Sequence, residues 1–413
     1  MHILLVADGR SPIARRWAES LIALQHRVSL ISTFPCSSLP GVDQVYVLPV
    51  AFGALSGSQV SSGAHTGQEQ TSVRRRVGRF RNILMSGRYW FGPLTAHFYR
   101  SEFLNLVKAL NPDIVHALRI PFEGMLATFT PAEIPMVVSI WGNDLTFHAN
   151  GSRAMTQASL RTLARADGLM ADAQRDIRLG RQWGFAEEKP TLVVPGAGGV
   201  SLSEIRQARE DGDSTLDMIP PRAKVIINPR GFRPGSVRND VFFQAIPLVI
   251  QRDPDVFFIC AAMAGQNEAL DWIMRLKLEN HVRLLPYLPQ STLWDLFIRS
   301  LISVSVSEHD GTPNSLLEAM ACGCFPIAGD IESLREWITP GVNGILVEPT
   351  KPEALADAII LALENPGLRA TAAERNLQII AEKAETNLVR AQVQVFYQSL
   401  INQKQVNKGN VGR

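Results

Sequence analysis

The chain has 413 residues with 41 Lys+Arg against 39 Asp+Glu, 46% hydrophobic and 19% charged. That balance excludes a disordered, collagenous or disulfide-scaffold protein, and at roughly 150 residues per domain it predicts two or three domains, each able to bury its own core. Cys36, Cys260, Cys322 and Cys324 form neither a CxxC pair nor a metal-finger spacing, so they read as free thiols in a reducing compartment with no zinc site.

The chain opens on HILLVA (2–7), whose apolar run is too short for a signal-peptide core and reads as a first strand. An amphipathic stretch, IARRWAESLIALQ (13–25), reads as a helix leading to RVSLIS (27–32). Residues 53–72 are rich in Gly, Ser and Gln and predict a mobile loop. They lead into VRRRVGRFRNILMSGRYWFG (73–92), where Arg74, Arg75, Arg76, Arg79 and Arg81 interleave with Phe80, Tyr89, Trp90 and Phe91. This stretch admits two readings, a peripheral contact with an anionic membrane or a solvated basic loop whose aromatics fold back. Residues 1–200 carry 20 basic and 14 acidic side chains, net +6, which leaves net −4 for the rest. No recognised reader module accompanies the basic stretch, so nucleic acid is not an expected partner.

Further strands are predicted at DIVHAL (113–118), PMVVSI (135–140), GLMAD (168–172) and TLVVP (191–195). Short β-branched runs alternating with amphipathic stretches predict βα units around a parallel sheet. The polar stretch 201–222, acidic and closed by Pro220 and Pro221, reads as a linker or domain edge. A second series follows at AKVIINP (223–229), VFFICAA (256–262), VRLLPY (282–287), LISVSVS (301–307), CFPIAG (324–329) and NGILVEP (343–349). The expected architecture is α/β: two doubly wound, Rossmann-like parallel-sheet domains at 1–200 and 222–384. A last helix, 385–402, packs on either of them. The longest uninterrupted apolar run, 256–264, is about half of the roughly 20 residues a membrane helix needs.

Ligands bind at the C-terminal ends of strands in such sheets, which selects two places in the first half. Gly9, after the first strand, stands where backbone can approach a ligand. WGNDLTFHA (141–149) follows the fourth, so Trp141, Asn143, Asp144 and His148 read as open to the site. Asp144 is either an acceptor-orienting group or general base, or a structural N-cap.

In the second half SEHDGTPNSLLEAMACGCFPIAGD (307–330) joins a strand to a helix. Thr312 reads as its N-cap and Pro313 as its first residue. The amides of Asn314, Ser315 and Leu316 would then meet phosphate oxygens, with Gly311 allowing a close approach. Glu318 lies about one turn, roughly 5.4 Å, further along the same face, an offset that suits a ribose. The DGD at 211–213 lies in the acidic stretch, away from any strand end, and is not read as a metal site.

An acidic residue, seven intervening residues and then Glu followed by AMACG resembles the signature of the retaining glycosyltransferase family 4, of GT-B fold. Here the pair is Asp310 and Glu318. The resemblance runs through RRWAESLIALQHRVSLIS, NPDIVHA, TLVVPGAGGV and INPRGFRPGSVRNDVFFQAI in order. It implies two Rossmann-like domains facing across a cleft. It also implies a nucleotide-sugar donor bound by the second, with the diphosphate on an Arg and a Lys. Arg230 matches the Arg; the Lys is absent and Arg238 is the nearest cation in register. His116 matches the first of two His residues that the family commonly carries near the reacting sugar, and is either a site residue or a satisfied residue at the end of a buried strand. In place of the second His this chain has Leu118, with Arg119 as an alternative cleft-facing group.

The resemblance implies transfer of a sugar from a nucleotide diphosphate to an acceptor hydroxyl with retention of configuration, without metal or other cofactor. Glu318 would hold the nucleotide. The expected setting is cell-envelope polysaccharide or glycolipid synthesis, in the cytoplasm or at the inner face of the membrane, with an acceptor that is lipid-linked or free. Two rivals remain at this level. One is a degenerate GT-B protein that binds nucleotide or a partner without transfer, favoured by Leu118 and the missing Lys. The other is a GT-B sugar-nucleotide epimerase, which the segments quoted do not resemble.

Overall fold

The computed structural model describes residues 1–55, 87–210 and 218–411. The chain divides into two units, Met1–Gly198 with Arg390–Arg413, and Gly199–Val389.

The first unit holds a seven-stranded sheet made of β1 His2–Ala7, β2 Arg27–Ser32, β3 Gln44–Val47, β4 Ile114–Ala117, β5 Met136–Ile140, β6 Gly168–Ala171 and β7 Thr191–Val193. The order is β3-β2-β1-β4-β5-β6-β7, and every pair is parallel. β1, β4, β5 and β6 are buried at every position, as continuous apolar runs must be when helices cover both faces. The edge strand β3 was not predicted. Its QVYV is only half-buried, so no apolar run announces it.

The C-terminal helix, Thr386–Val411, contributes its residues from Arg390 onward to this unit, in agreement with one of the two placements expected for 385–402. The Tyr397 hydroxyl is buried against His116 Nδ1 (2.5 Å) and accepts from Trp17 Nε1 (3.3 Å), while Arg390 Nε donates to Ser20 Oγ (3.0 Å). Lys404 Nζ pairs with Asp167 Oδ1 at 2.8 Å.

The second unit has a six-stranded sheet: β8 Lys224–Asn228, β9 Val256–Cys260, β10 Val282–Leu284, β11 Ile302–Ser305, β12 Phe325–Gly329 and β13 Ile345–Val347. Its order is β10-β9-β8-β11-β12-β13, again all parallel. All six predicted strands are present. The polar stretch read as a linker is corrected in part: Leu202–Glu210 is a helix of this unit. Leu202, Ile205 and Ala208 recur at helical spacing and pack into the core that holds Leu296, Phe297 and Leu317. Charge on its other face hid that stripe. The DGD at 211–213 lies outside the described residues, as do residues 56–86 with the arginines of the basic stretch up to Arg81.

Both sheets change direction of winding at their centre, between β1 and β4 and between β8 and β11. In open parallel sheets the segments that leave such a pair of strands at their C-terminal ends are where ligands bind. Asp8–Arg10 and Leu118–Arg119 leave the first pair; Arg230 and Glu308–Asp310 leave the second.

Candidate active site

In the second unit the turn after β8 is held by two asparagines. Asn228 Oδ1 accepts from the Arg230 amide (3.0 Å), Asn228 Nδ2 donates to Asn239 Oδ1 (3.0 Å), and Asn239 Nδ2 donates to the Gly231 carbonyl (3.2 Å). A Cβ on Gly231 would lie 3.0 Å from the Ala262 carbonyl oxygen, so the turn has little room for a side chain there. The same turn is laced to the segment after β11. The Arg238 amide donates to the Val306 carbonyl (2.9 Å), the Glu308 amide to the Ser236 carbonyl (2.9 Å), and Ser236 Oγ to the His309 carbonyl. These bonds bring Arg230 to Asp310, Nη1 to Oδ2 at 2.9 Å.

That contact leaves Arg230 incompletely matched. Its side chain is 7% exposed, and its Nε and Nη1 are buried without an aligned hydrogen-bond acceptor. A buried guanidinium with orphan donors is costly unless an anion completes it. Asp310 is itself anchored, accepting from Ser307 Oγ (3.1 Å), while its carbonyl accepts from Ser333 Oγ (2.8 Å).

Arg233, which sequence reasoning passed over, is the second cation here. The neighbouring Arg230 charge, and then burial, lower its pKa to about 10, which keeps it charged at neutral pH. Arg238, expected in that role, is committed elsewhere. It sits at the N-cap of the helix Asn239–Arg252, where its Nη2 meets Asp240 Oδ2 (2.8 Å) and its Nη1 meets Glu308 Oε1. The Asp240 hydrogen bond, reinforced by Glu308, raises the Arg238 pKa. The spacing G-F-R was the available signal for Arg233, since only the turn decides which Arg faces Arg230.

The helix carrying Glu318 runs Asn314–Cys322, one residue later than expected: Pro313 is its N-cap, in extended conformation. Thr312 is no cap; its Oγ1 accepts from Trp337 Nε1 at 2.9 Å. The Leu316 amide donates to the Pro313 carbonyl (3.0 Å) and its side chain is core, so it is not a phosphate donor in this structure. Asn314 and Ser315 stand at the open helix end, and Ser315 Oγ is buried with no partner. Gly311 is buried beside Asp310. Glu318 lies in the second turn and is 4% exposed.

In the first unit a cavity of about 300 Å³ opens beyond Ala7, Leu118 and Trp141, which end or follow β1, β4 and β5. Arg10, Arg88 and Arg119 line it, with Glu123 and with Phe34, Phe122 and Trp141 as walls. Arg119 donates from Nε to Asp144 Oδ1 (3.0 Å) and from Nη2 to Asn143 Oδ1 (3.1 Å). Asp144 is fully buried, and its Oδ2 accepts from the amides of Ile120 (3.3 Å) and Trp141 (3.2 Å). It therefore anchors Arg119 and two backbone segments, and no oxygen of it lines the cavity. The Asp144 and Glu123 charges, outweighing burial, raise the Arg119 pKa.

His116 is corrected from a site residue to a core residue. It is fully buried, with Nδ1 on the Tyr397 hydroxyl and Nε2 on Ser139 Oγ (2.8 Å), and burial lowers its pKa to about 3. His148, by contrast, does line the cavity; its Nδ1 meets the Tyr89 hydroxyl at 2.8 Å and burial lowers its pKa to about 4. Gly9 belongs to this unit as well. Its amide donates to Ser32 Oγ (3.0 Å), and a Cβ there would stand 2.5 Å from Cys36 Sγ. Among the described residues no group of three or more His, Cys, Asp or Glu is placed to hold a metal ion. Burial pushes the thiols of Cys260, Cys322 and Cys324 up, and all four cysteines are free.

Comparison with known proteins agrees with the fold. Residues 236–378 match the family model described as glycosyl transferases group 1. The chain is 26% identical to the GDP-mannose:cellobiosyl-diphosphopolyprenol alpha-mannosyltransferase of Xanthomonas oryzae pv. oryzae over 82% of this chain and 80% of that one. It is also 26% identical to the D-inositol 3-phosphate glycosyltransferase of Thermobispora bispora, over 49% of each, so that match spans about half of the relative's length. Among solved structures, Anabaena Alr3699/HepE in complex with UDP superposes with a TM-score of 0.67 at 17% identity, covering 97% of this chain and 100% of that one. At that identity the likeness establishes the fold.

Proposed function

We propose that this chain, a GT-B glycosyltransferase with a group 1 glycosyltransferase module at 236–378, moves a hexose from a nucleotide diphosphate to an acceptor hydroxyl with retention of configuration. The observation that carries the reading is Arg230, a buried guanidinium whose Nε has no hydrogen-bond partner and whose Nη1 is ion-paired with Asp310, beside a second cation, Arg233, and a helix end where Ser315 Oγ also lacks a partner. A diphosphate would satisfy all of these at once. Departure of the nucleotide diphosphate leaves negative charge on its phosphate oxygens, and fixed guanidinia stabilise that charge in the transition state. Two arginines supply the charge a metal would otherwise bring, so the reaction is proposed to be metal-independent. Glu318 is assigned to the ribose hydroxyls, one helical turn from the phosphate end.

The acceptor is assigned to the first-unit cavity, where Arg119 is the cavity-facing group and Asp144 orients it. A lipid-linked acceptor in cell-envelope synthesis, at the cytoplasmic face of the membrane, is supported by the relative whose name includes a diphosphopolyprenol. No described helix is long and apolar enough to cross a membrane. The test is thermal stability with UDP, GDP, ADP and their sugar conjugates, in the wild type and in Glu318→Ala, with and without a chelator. A ligand at 100 times its dissociation constant adds about 2.7 kcal/mol to the wild type. A shift with one base, lost in Glu318→Ala and indifferent to chelation, is the expected outcome; proton NMR of the product reads retention. No shift with any nucleotide would favour a non-transferring binder.

A further inference from the structure

The first-unit cavity carries an unbalanced arginine. Arg10 turns Nε and Nη2 to Asp8 (3.0 Å each), and Arg119 turns the same two nitrogens to Asp144 and Asn143. Arg88 has no such carboxylate among the described residues. Its guanidinium lies 4.6 Å from the Phe122 ring centroid and 5.4 Å from that of Phe34, and its Nε is buried with no hydrogen-bond partner. Burial lowers its pKa, because a desolvated guanidinium favours its neutral form.

The nearest carboxyl does not neutralise it fully. Glu123 accepts from Thr33 Oγ1 (3.1 Å), and burial pushes its pKa up to about 7, so near neutrality it is only partly ionised. The wall that presents these groups is held in an uncommon conformation. Phe122 has φ 67° and ψ −53°, and a Cβ on Gly92 would stand 2.6 Å from its ring; a Cβ on Gly124 would stand 2.8 Å from the Arg119 carbonyl. Such strain persists where surrounding packing imposes it and clusters at ligand sites.

We propose that this cavity binds a phosphate group of the acceptor, with the Arg88 guanidinium as its ligand. The proposal rests on the reading of the chain as a transferase whose acceptor occupies the first unit. A phosphate offers several oxygens to a rigid fork of donors, and the Nη1 groups of Arg10 and Arg119 remain as further donors on the same cavity. The aromatic walls suit the sugar or lipid portion that carries it. At about 300 Å³ the space is at the small end of ligand pockets, enough for a headgroup rather than a long oligosaccharide.

The experiment uses the full chain and calorimetric binding of glucose 6-phosphate against glucose, and of phosphatidylglycerol-containing against pure phosphatidylcholine vesicles. The wild type is expected to prefer the phosphate-bearing probe by about tenfold or more in at least one pair, and Arg88→Gln to lose that preference. Preference in the sugar pair assigns a free phosphate ester; preference in the vesicle pair alone assigns a lipid phosphodiester; either supports the proposal. Equal binding within both pairs for the wild type, or an unchanged preference in Arg88→Gln, overturns it. The nucleotide melting shift of the second unit is read in parallel and reports folding. If Arg88→Gln loses that shift, Arg88→Lys decides, since it keeps the charge but not the fork and is expected to weaken the preference several-fold. A phosphate preference without any nucleotide response would leave this site standing and remove the transferase reading.

Discussion

Both units gather their polar groups after the strand pair where winding reverses, but they neutralise them differently. In the second unit Arg230 and Ser315 keep buried atoms without partners, and Arg233 stands beside Arg230. In the first, Arg119 is matched by Asp144 and Arg10 by Asp8, aromatic rings wall the cavity, and Arg88 has no carboxylate partner among the described residues. The second-unit cluster, the proposed anion site, concentrates its unpaired donors on backbone turns and a helix end. The other is a mostly balanced pocket with one cation in excess among the described residues. The difference shows that a shared strand order fixes where a site lies, whereas the side chains leaving two strands fix its chemistry.

That comparison can be broken most severely at glycines. A Cβ on Gly329 would stand 2.3 Å from the Ser307 carbonyl oxygen, a backbone atom, so Gly329→Ala is expected to cost about 4 kcal/mol or to unfold the second unit, as read by urea denaturation. Gly9→Ala meets Cys36 Sγ, the end of a side chain that can turn away, and should cost only about 1 kcal/mol in the same assay.

Next in size is the pH response of the first unit. Between pH 4.5 and about 7 the folded chain holds a proton at Glu123 that the unfolded chain has released. Its contribution to stability therefore falls as pH rises through that window, by up to about 3 kcal/mol. Glu123→Gln should flatten the difference in urea midpoint between pH 5 and pH 7.5; an unchanged difference would place the titration elsewhere.

In the second unit Arg230→Ala is expected to weaken binding of the nucleotide diphosphate by about 30-fold, because it removes charge-assisted bonds and strands Asp310. Arg233→Ala should follow it closely. Arg238→Ala, whose guanidinium is already held by Asp240 and Glu308, should change affinity by about threefold or less. Equal losses for Arg238 and Arg233 in a nucleotide titration would show that the Arg238 ion pairs open to the ligand. The smallest effect is expected of His116→Gln on sugar transfer, since the imidazole is buried in the core with its nitrogens on Tyr397 and Ser139.

Much of the fold was legible because most of its strands are short, apolar and largely buried. Runs such as HILLVA and VFFIC announce themselves by composition, and twelve of the thirteen strands fall where those runs lie. β3 escaped because a half-buried edge strand needs no apolar run, and Leu202–Glu210 escaped because three apolar side chains among charges look like a linker. The segment 307–330 was readable as a candidate site because strand, turn and helix are contiguous there. Within it the cap shifted from Thr312 to Pro313, since a Trp337 hydrogen bond claimed the threonine.

The sequence by itself determined the alternation of strand and helix, the two units, and the helix that bears Glu318, because all of these follow from local periodicity and neighbouring residues. Only the tertiary structure decided that Arg233 rather than Arg238 accompanies Arg230, that His116 is core, and that Arg88 meets Phe34, Phe122 and Glu123 in one cavity. Those outcomes depend on which side chains converge from segments dozens of residues apart. Burial and charge pairing act on distances in space, and separation along the chain carries no record of them.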